Sequence, residues 1–238
     1  MIGIIGAMEA EVELLRTNLQ GTQEHRIGAF TYYTGTLANK DTVLLQCGIG
    51  KVQAAVGCAL MLQTFTPSRL INTGSAGGIA ADLHFGDVVI SEGLIYHDVD
   101  VRAFGYLPGQ IPGQPQVFTT DKTLQAKAET AIQHLKEQGK LPPNLHYQKG
   151  IIGSGDIFMH DPEKIAELKT NFPMIRAVEM EGAAIAHCCT LFKVPFLVIR
   201  ALSDIAGQES PMKFDEFLPI ASRHSSEIVM ELIRNLET

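Results

Sequence analysis

Three acidic segments, each placed where an apolar run meets a turn, hold the residues of this chain best suited to chemistry. The first is Val198-Ile199-Arg200-Ala201-Leu202-Ser203-Asp204, where a run without polar alternation ends in a cation, a hydroxyl and a carboxylate. Such a run reads as a strand buried on both faces, and open α/β sheets bind ligands beyond the carboxyl ends of their strands. Asp204 is therefore a candidate general acid, although Ser-Asp serves equally well to cap or turn a chain. The second is Gly3-Ile4-Ile5-Gly6-Ala7-Met8-Glu9-Ala10-Glu11, a strand, a glycine turn and a helix start. Taken alone, Glu9 and Glu11 there are favourable charges at a helix amino terminus. The third is Ala177-Val178-Glu179-Met180-Glu181-Gly182-Ala183-Ala184, two acids around a methionine ahead of a helix of small residues. A carboxylate at that edge can accept two hydroxyl hydrogen bonds, as a ribose diol would offer, and one of Glu179 and Glu181 is expected to be structural instead.

Glycine segments add a possible cradle. Asn72-Thr73-Gly74-Ser75-Ala76-Gly77-Gly78 follows a strand and would let backbone amides approach an anion or a sugar, or simply serve a tight turn. It misses the G-x-S-x-G nucleophile elbow because Thr73 stands at the first glycine, and Gly48-Ile49-Gly50-Lys51 misses the P-loop because Leu45 does. Gly3 and Gly6 give only G-x-x-G, which is not the dinucleotide fingerprint. His97-Asp98-Val99-Asp100 and Asp156 with His160 lack the spacing of a metal site, so neither metal nor cofactor is expected.

These residues need a scaffold, and the rest of the chain supplies one. Apolar runs at 1–5, 29–34, 42–47, 69–72, 87–91, 150–152, 176–178 and 194–201 read as strands. Periodic segments at 9–18, 52–64, 122–137, 162–171, 181–191 and within 214–236 read as helices. Their alternation predicts an α/β fold, a mixed and largely parallel central sheet flanked by helices, in a single domain over 1–238. The 238 residues, 45% hydrophobic and 19% charged with net charge -7, suit one such domain and argue against nucleic-acid or anionic-membrane partners. The amino terminus reads as a first strand rather than a signal, and Cys47, Cys58, Cys188 and Cys189 read as packing thiols of a reducing cytoplasm. Only Tyr96–Phe118, rich in glycine, proline and aromatics, fits no element; it reads as an ordered flap or an interface.

Taken together, Gly3–Val12, Gly48–Lys51, Asn72–Gly78, His97–Tyr106, Ser154-Gly155-Asp156, Ala177–His187, Arg200–Asp204 and Phe214-Asp215-Glu216-Phe217 resemble the 5'-methylthioadenosine/S-adenosylhomocysteine nucleosidases of the nucleoside phosphorylase superfamily. The resemblance spans nearly the whole chain, in order and spacing. It implies a three-layer, homodimeric α/β fold and cofactor-free hydrolysis of an adenine N-glycosidic bond.

By the same resemblance Asp204 would protonate adenine nitrogen 7, held by Ser203, and Glu11 would activate water with help from Ser75 and Arg200. Glu181 and the Met180 backbone would bind the ribose hydroxyls, Phe158 would stack on the base, and the Met159 backbone would meet its amine. Met8, Ile49 and Phe214 would wall the ribose and alkylthio pocket, Gly78 and Glu179 complete the substrate-binding set, and Val101, Phe104 and Pro112 would come from the partner subunit. Two features favour water over phosphate as nucleophile: Asn72 stands where bacterial-type purine phosphorylases carry an arginine, and the amino-terminal loop is acidic where theirs binds phosphate. Met159 replaces an expected isoleucine, and Gly207-Gln208-Glu209 and Lys140–Gln148 also depart from the pattern. Relatives acting on 5'-deoxyadenosine or aminodeoxyfutalosine share these motifs.

Overall fold

The structure is a computed structural model that describes residues 1–206 and 210–237, with the side chains of 210–215 excepted. In chain order its elements are β1 (Ile2–Gly6), α1 (Glu9–Thr17), β2 (Gln20–Ile27), β3 (Phe30–Leu37), β4 (Lys40–Gln46), α2 (Lys51–Phe65), β5 (Arg69–Gly78) and β6 (Val88–Tyr96). They continue with β7 (Phe118–Thr119), α3 (Lys122–Glu137), β8 (Tyr147–Ser154), α4 (Pro162–Asn171), β9 (Ile175–Glu179), α5 (Gly182–Phe192), β10 (Phe196–Ile205) and α6 (Ser210–Arg234). All ten strands belong to one sheet, ordered β10-β6-β8-β9-β5-β1-β4-β3-β2 with β7 on β6.

The expected mixed sheet is present, and part of it closes. β10 pairs β5 in parallel as well as β6 antiparallel, so β5, β10, β6, β8 and β9 form a ring of strands. Closure depends on β5, which runs through Gly78 instead of ending at Asn72; the glycine segment expected as a loop is strand. Its Gly77 and Gly78 pair with Val178 and Ala177 of β9 on one side and with Asp204 and Ile205 of β10 on the other. A Cβ on Gly78 would lie 2.8 Å from the tip of the Ile205 side chain and 3.0 Å from that of Leu202, so glycine leaves room for these side chains over the strand. β2 escaped sequence reading because its Gln-Gly-Thr-Gln-Glu-His-Arg run is polar and mostly exposed; pairing with β3 makes it a strand.

Helices cover both faces. One core joins the sheet to α2 and α5 through Ala54, Cys58, Met61, Ala183, Ile185 and Cys189; the other joins it to α1, α3 and α6 through Val12, Leu15, Ala128, Ile132, Ile228 and Leu232. β10 is buried on both faces along almost its whole length, which is why its sequence does not alternate. The carboxyl ends of β1, β5 and β10, with that of β9, meet at one edge.

Candidate active site

Glu11 sits in the first turn of α1, yet its side chain turns back to the sheet. One carboxylate oxygen accepts N–H bonds from Ala7 (2.8 Å) and Met8 (3.0 Å), the other accepts from the Ser75 backbone and hydroxyl, both at 2.9 Å. The helix-terminus role is thus real, and the same bonds bring the acid to β5 with 3% of its surface exposed. Gly74 makes room, because a Cβ there would stand 2.6 Å from the Glu11 oxygen. Glu9 instead pairs with Arg16 at the surface.

Asp204 arrives through an irregularity in β10. Leu202 is opposite Ala76 and Asp204 opposite Gly77, leaving Ser203 as the extra residue of a bulge. Bulges re-aim side chains, and here both Ser203 and Asp204 reach the same cavity. The Ser203 hydroxyl donates to the Asp204 carboxylate at 3.1 Å, and Asp204 is 3% exposed. Gly77 again admits the acid, since an added Cβ would lie 3.0 Å from it.

Glu179 and Glu181 have different duties. Glu179 accepts from the Ser154 hydroxyl, from the backbone N–H groups of Glu181 (3.1 Å) and Gly182 (2.7 Å), and from Arg200 at 2.5 Å. It caps α5 and fixes the Met180-Glu181 turn. Glu181 accepts one N–H, that of Gly50 at 2.9 Å, and otherwise faces the cavity. Burial, then the neighbouring Glu179 charge, pushes its carboxyl up to about 8, against the pull of Arg200 and the Gly50 N–H.

Arg200 is 2% exposed and does not line the cavity. Its guanidinium donates to Glu179 and, at 2.6 Å, to the Asn72 side-chain oxygen, while the Asn72 amide donates to the Ile5 carbonyl at 2.9 Å. Burial works against its charge, but Glu179, Glu11 and Glu181 together hold it above the ordinary arginine value. Arg200, expected to help Glu11 with the water, pairs directly with Glu179 and Asn72 and acts on Glu11 through its charge.

The cavity measures about 320 Å³. Glu11, Ser75, Glu179, Glu181, Ser203 and Asp204 supply its polar points; Met8, Ile49, Phe158, Val178 and Met180 supply its apolar walls. Met159 and Phe158 line a small adjoining recess that also touches Asp204. Gly78 lies just beyond, in the β5–β10 junction, and Phe214 falls outside the described side chains. Val101 is half-buried, while Pro112 and Phe104 are exposed, Phe104 to 80%, and none of the three lines this chain's own cavity. A larger open depression of about 490 Å³ lies apart from these groups; its carboxylate, Asp87, is tied to the backbone N–H groups of His84 and His146.

Two of the acids weighed as metal ligands, Asp98 and Asp156, hold the turn before α2, while Asp100 pairs with Arg102. Lys51 bonds Asp98 at 2.5 Å and lies 3.7 Å from Asp156, and Asp156 accepts the Lys51 N–H at 2.8 Å. This latch sets Gly50 (φ 99°) so that its N–H meets Glu181. Sequence reading assigned no work to Ser154 or to the Lys51 latch; the only sign of either was a polar residue at a strand end or helix start.

A family model described as the phosphorylase superfamily matches residues 1–234. The 5'-methylthioadenosine/S-adenosylhomocysteine nucleosidase of Anoxybacillus flavithermus is 48% identical over 235 residues, 99% of this chain and 98% of that protein. The enzyme of that name from Neisseria meningitidis, solved with methylthio-immucillin-A, is 43% identical with a TM-score of 0.94, covering 99% of each chain. The one from Colwellia psychrerythraea, solved with adenine, is 44% identical with a TM-score of 0.93, covering 98% of this chain and 93% of that one. The chain belongs to the phosphorylase superfamily and, within it, to the 5'-methylthioadenosine/S-adenosylhomocysteine nucleosidases.

Proposed function

We propose that this chain hydrolyses the N-glycosidic bond of 5'-methylthioadenosine and S-adenosylhomocysteine, releasing adenine and a 5-substituted ribose. The observation that carries the reading is the pair of buried carboxylates, Glu11 and Asp204, on one cavity whose remaining walls are largely apolar. Breaking a glycosidic bond through an oxocarbenium-like state calls for an acid at the leaving group and a base for water, which two acids in separate environments provide. Asp204, oriented by Ser203, gives its proton to adenine nitrogen 7 as the bond electrons move into the base. Glu11, held by four neutral donors, takes a proton from the water that attacks the anomeric carbon. Glu181 and the Met180 backbone receive the ribose hydroxyls, with the Glu179 cap fixing both. Phe158 stacks on adenine, the Met159 backbone meets its amine, and Met8 and Ile49 wall the sugar and its 5'-substituent. Water and two carboxylates balance the step without a cofactor.

Phosphate fits this cavity poorly. Among the described residues no lysine or arginine lines it, whereas Glu11, Glu179, Glu181 and Asp204 all do. A phosphate dianion would meet that acidic wall with Arg200 already paired behind it. Adenine release followed by chromatography in phosphate-free buffer tests the reading, with 5'-methylthioadenosine, S-adenosylhomocysteine, 5'-deoxyadenosine and aminodeoxyfutalosine as substrates. An absolute requirement for phosphate would overturn it.

The reading includes a cytoplasmic homodimer. Support comes from the exposed apolar residues Val52 (73%), Phe104, Leu107 and Leu191, which a partner would cover. In such a dimer Val101, Phe104 and Pro112 close the neighbouring cavity over the 5'-substituent.

A further inference from the structure

Behind the cavity a line of polar groups crosses the sheet: the Ile5 carbonyl on β1, Asn72 on β5, Arg200 on β10, Glu179 on β9 and Ser154 on β8. Asn72 is its hinge. It is 1% exposed, its amide N–H is anchored on β1, and its oxygen takes the same guanidinium nitrogen that Glu179 takes. The rest of the guanidinium is loosely held: one nitrogen makes only a 3.4 Å contact to the Ile199 carbonyl, and Nε is buried without a partner among the described residues. Glu11 is the acid whose charge acts on Arg200 next after that of Glu179. Gly74 is the strand partner of Arg200 and is also the residue over which the Glu11 carboxylate lies.

We propose that Asn72 is a positioning residue for hydrolysis: its side-chain oxygen, with Glu179, restrains Arg200 from pairing directly with Glu11, leaving Glu11 on neutral donors and able to act as a base. This rests on the reading of Glu11 as the water activator. A guanidinium bonded to that carboxylate would favour its charged form and weaken it as a proton acceptor. Among the described residues, the other titratable groups facing Glu11 are Asp204 from β10, Glu179 from β9, Glu181 at the start of α5 and Cys47 just past β4; α6 offers it the Ser226 hydroxyl, bonded to the Glu11 carbonyl. None of these is cationic, so among the described residues Arg200 is the group whose displacement would change Glu11 most.

The test compares Asn72→Leu, which keeps the volume and removes the acceptor, with Asn72→Asp, which keeps an acceptor in either protonation state. Adenine release from 5'-methylthioadenosine is followed from pH 4 to 9. For Asn72→Leu the acid limb of kcat/KM is expected to move down by about one pH unit. With it kcat should fall roughly tenfold while KM changes little. Asn72→Asp is expected to keep the parent limb. Asn72→Ala, which cannot overpack the site, repeats the measurement should the leucine variant fail to fold. A lowered melting temperature with an unmoved limb, or the same shift in Asn72→Asp, would overturn the proposal. A parent protein that releases no adenine would instead overturn the assigned function.

Discussion

Replacing Glu181 by glutamine should make the protein less sensitive to alkaline pH. The Glu181 carboxyl is buried beside Glu179 and is pushed up to about 8 from an ordinary 4.5. Below about 4.5 both the folded and unfolded chains hold this proton, and between 4.5 and about 8 only the folded chain does. Unfolding then releases a proton, so rising pH favours the unfolded state through that window; above 8 both forms are ionised and the penalty stays constant. At about 1.36 kcal/mol per pH unit, the gap sets a ceiling of roughly 5 kcal/mol on the stability lost. Water drawn in around the ionised side chain relieves part of it, which leaves an expected difference of about 2 kcal/mol or more. Urea unfolding of the parent and of Glu181→Gln at pH 5 and pH 9 measures it directly. The parent should lose more stability than the variant over that interval, and equal losses in the two proteins would refute an ionisation held back by burial. The same substitution should raise KM for 5'-methylthioadenosine more at pH 9 than at pH 6, because glutamine imitates the protonated form.

Four further outcomes follow from the same geometry. Glu11→Gln and Asp204→Asn should each slow adenine release by about 10²–10⁴-fold in single-turnover assays while binding of adenine persists. Gly74→Ala should fold, as judged by circular dichroism, yet lose about 10²-fold in kcat, because its methyl displaces the Glu11 carboxylate. Glu179→Ala leaves Arg200 buried without its counter-charge and should cost about 3–5 kcal/mol in chemical denaturation. Phe104→Ala should raise KM for 5'-methylthioadenosine and leave KM for a substrate without a 5'-substituent unchanged; identical effects on both would remove the loop from the site.

The sequence alone determined the materials of the site and the elements beneath them. The run Val194–Ile199, without polar alternation, reads as a strand covered on both faces, and Lys122–Glu137 and Pro162–Asn171 carry their helical period openly. The acids were legible for the same reason, as polar residues at the ends of such runs. Tertiary structure alone decided their duties. Glu179 and Glu181 are two residues apart and chemically identical, and they differ because Ser154, Arg200 and two backbone N–H groups converge on one and a single N–H on the other. Asn72–Gly78 reads as a loop because glycine disfavours strands, but pairing with β9 and β10 makes it strand, and its missing side chains leave room for those of Leu202, Asp204 and Ile205. Arg200 follows an apolar run that gives no sign of its partners; the hydrogen bond to Asn72, 128 residues away in the chain, and the ion pair with Glu179 exist only in the assembled sheet. Local patterns record burial and period, which each residue's own neighbours impose, whereas the partner of a buried charge is chosen by strands that meet only when the sheet has formed.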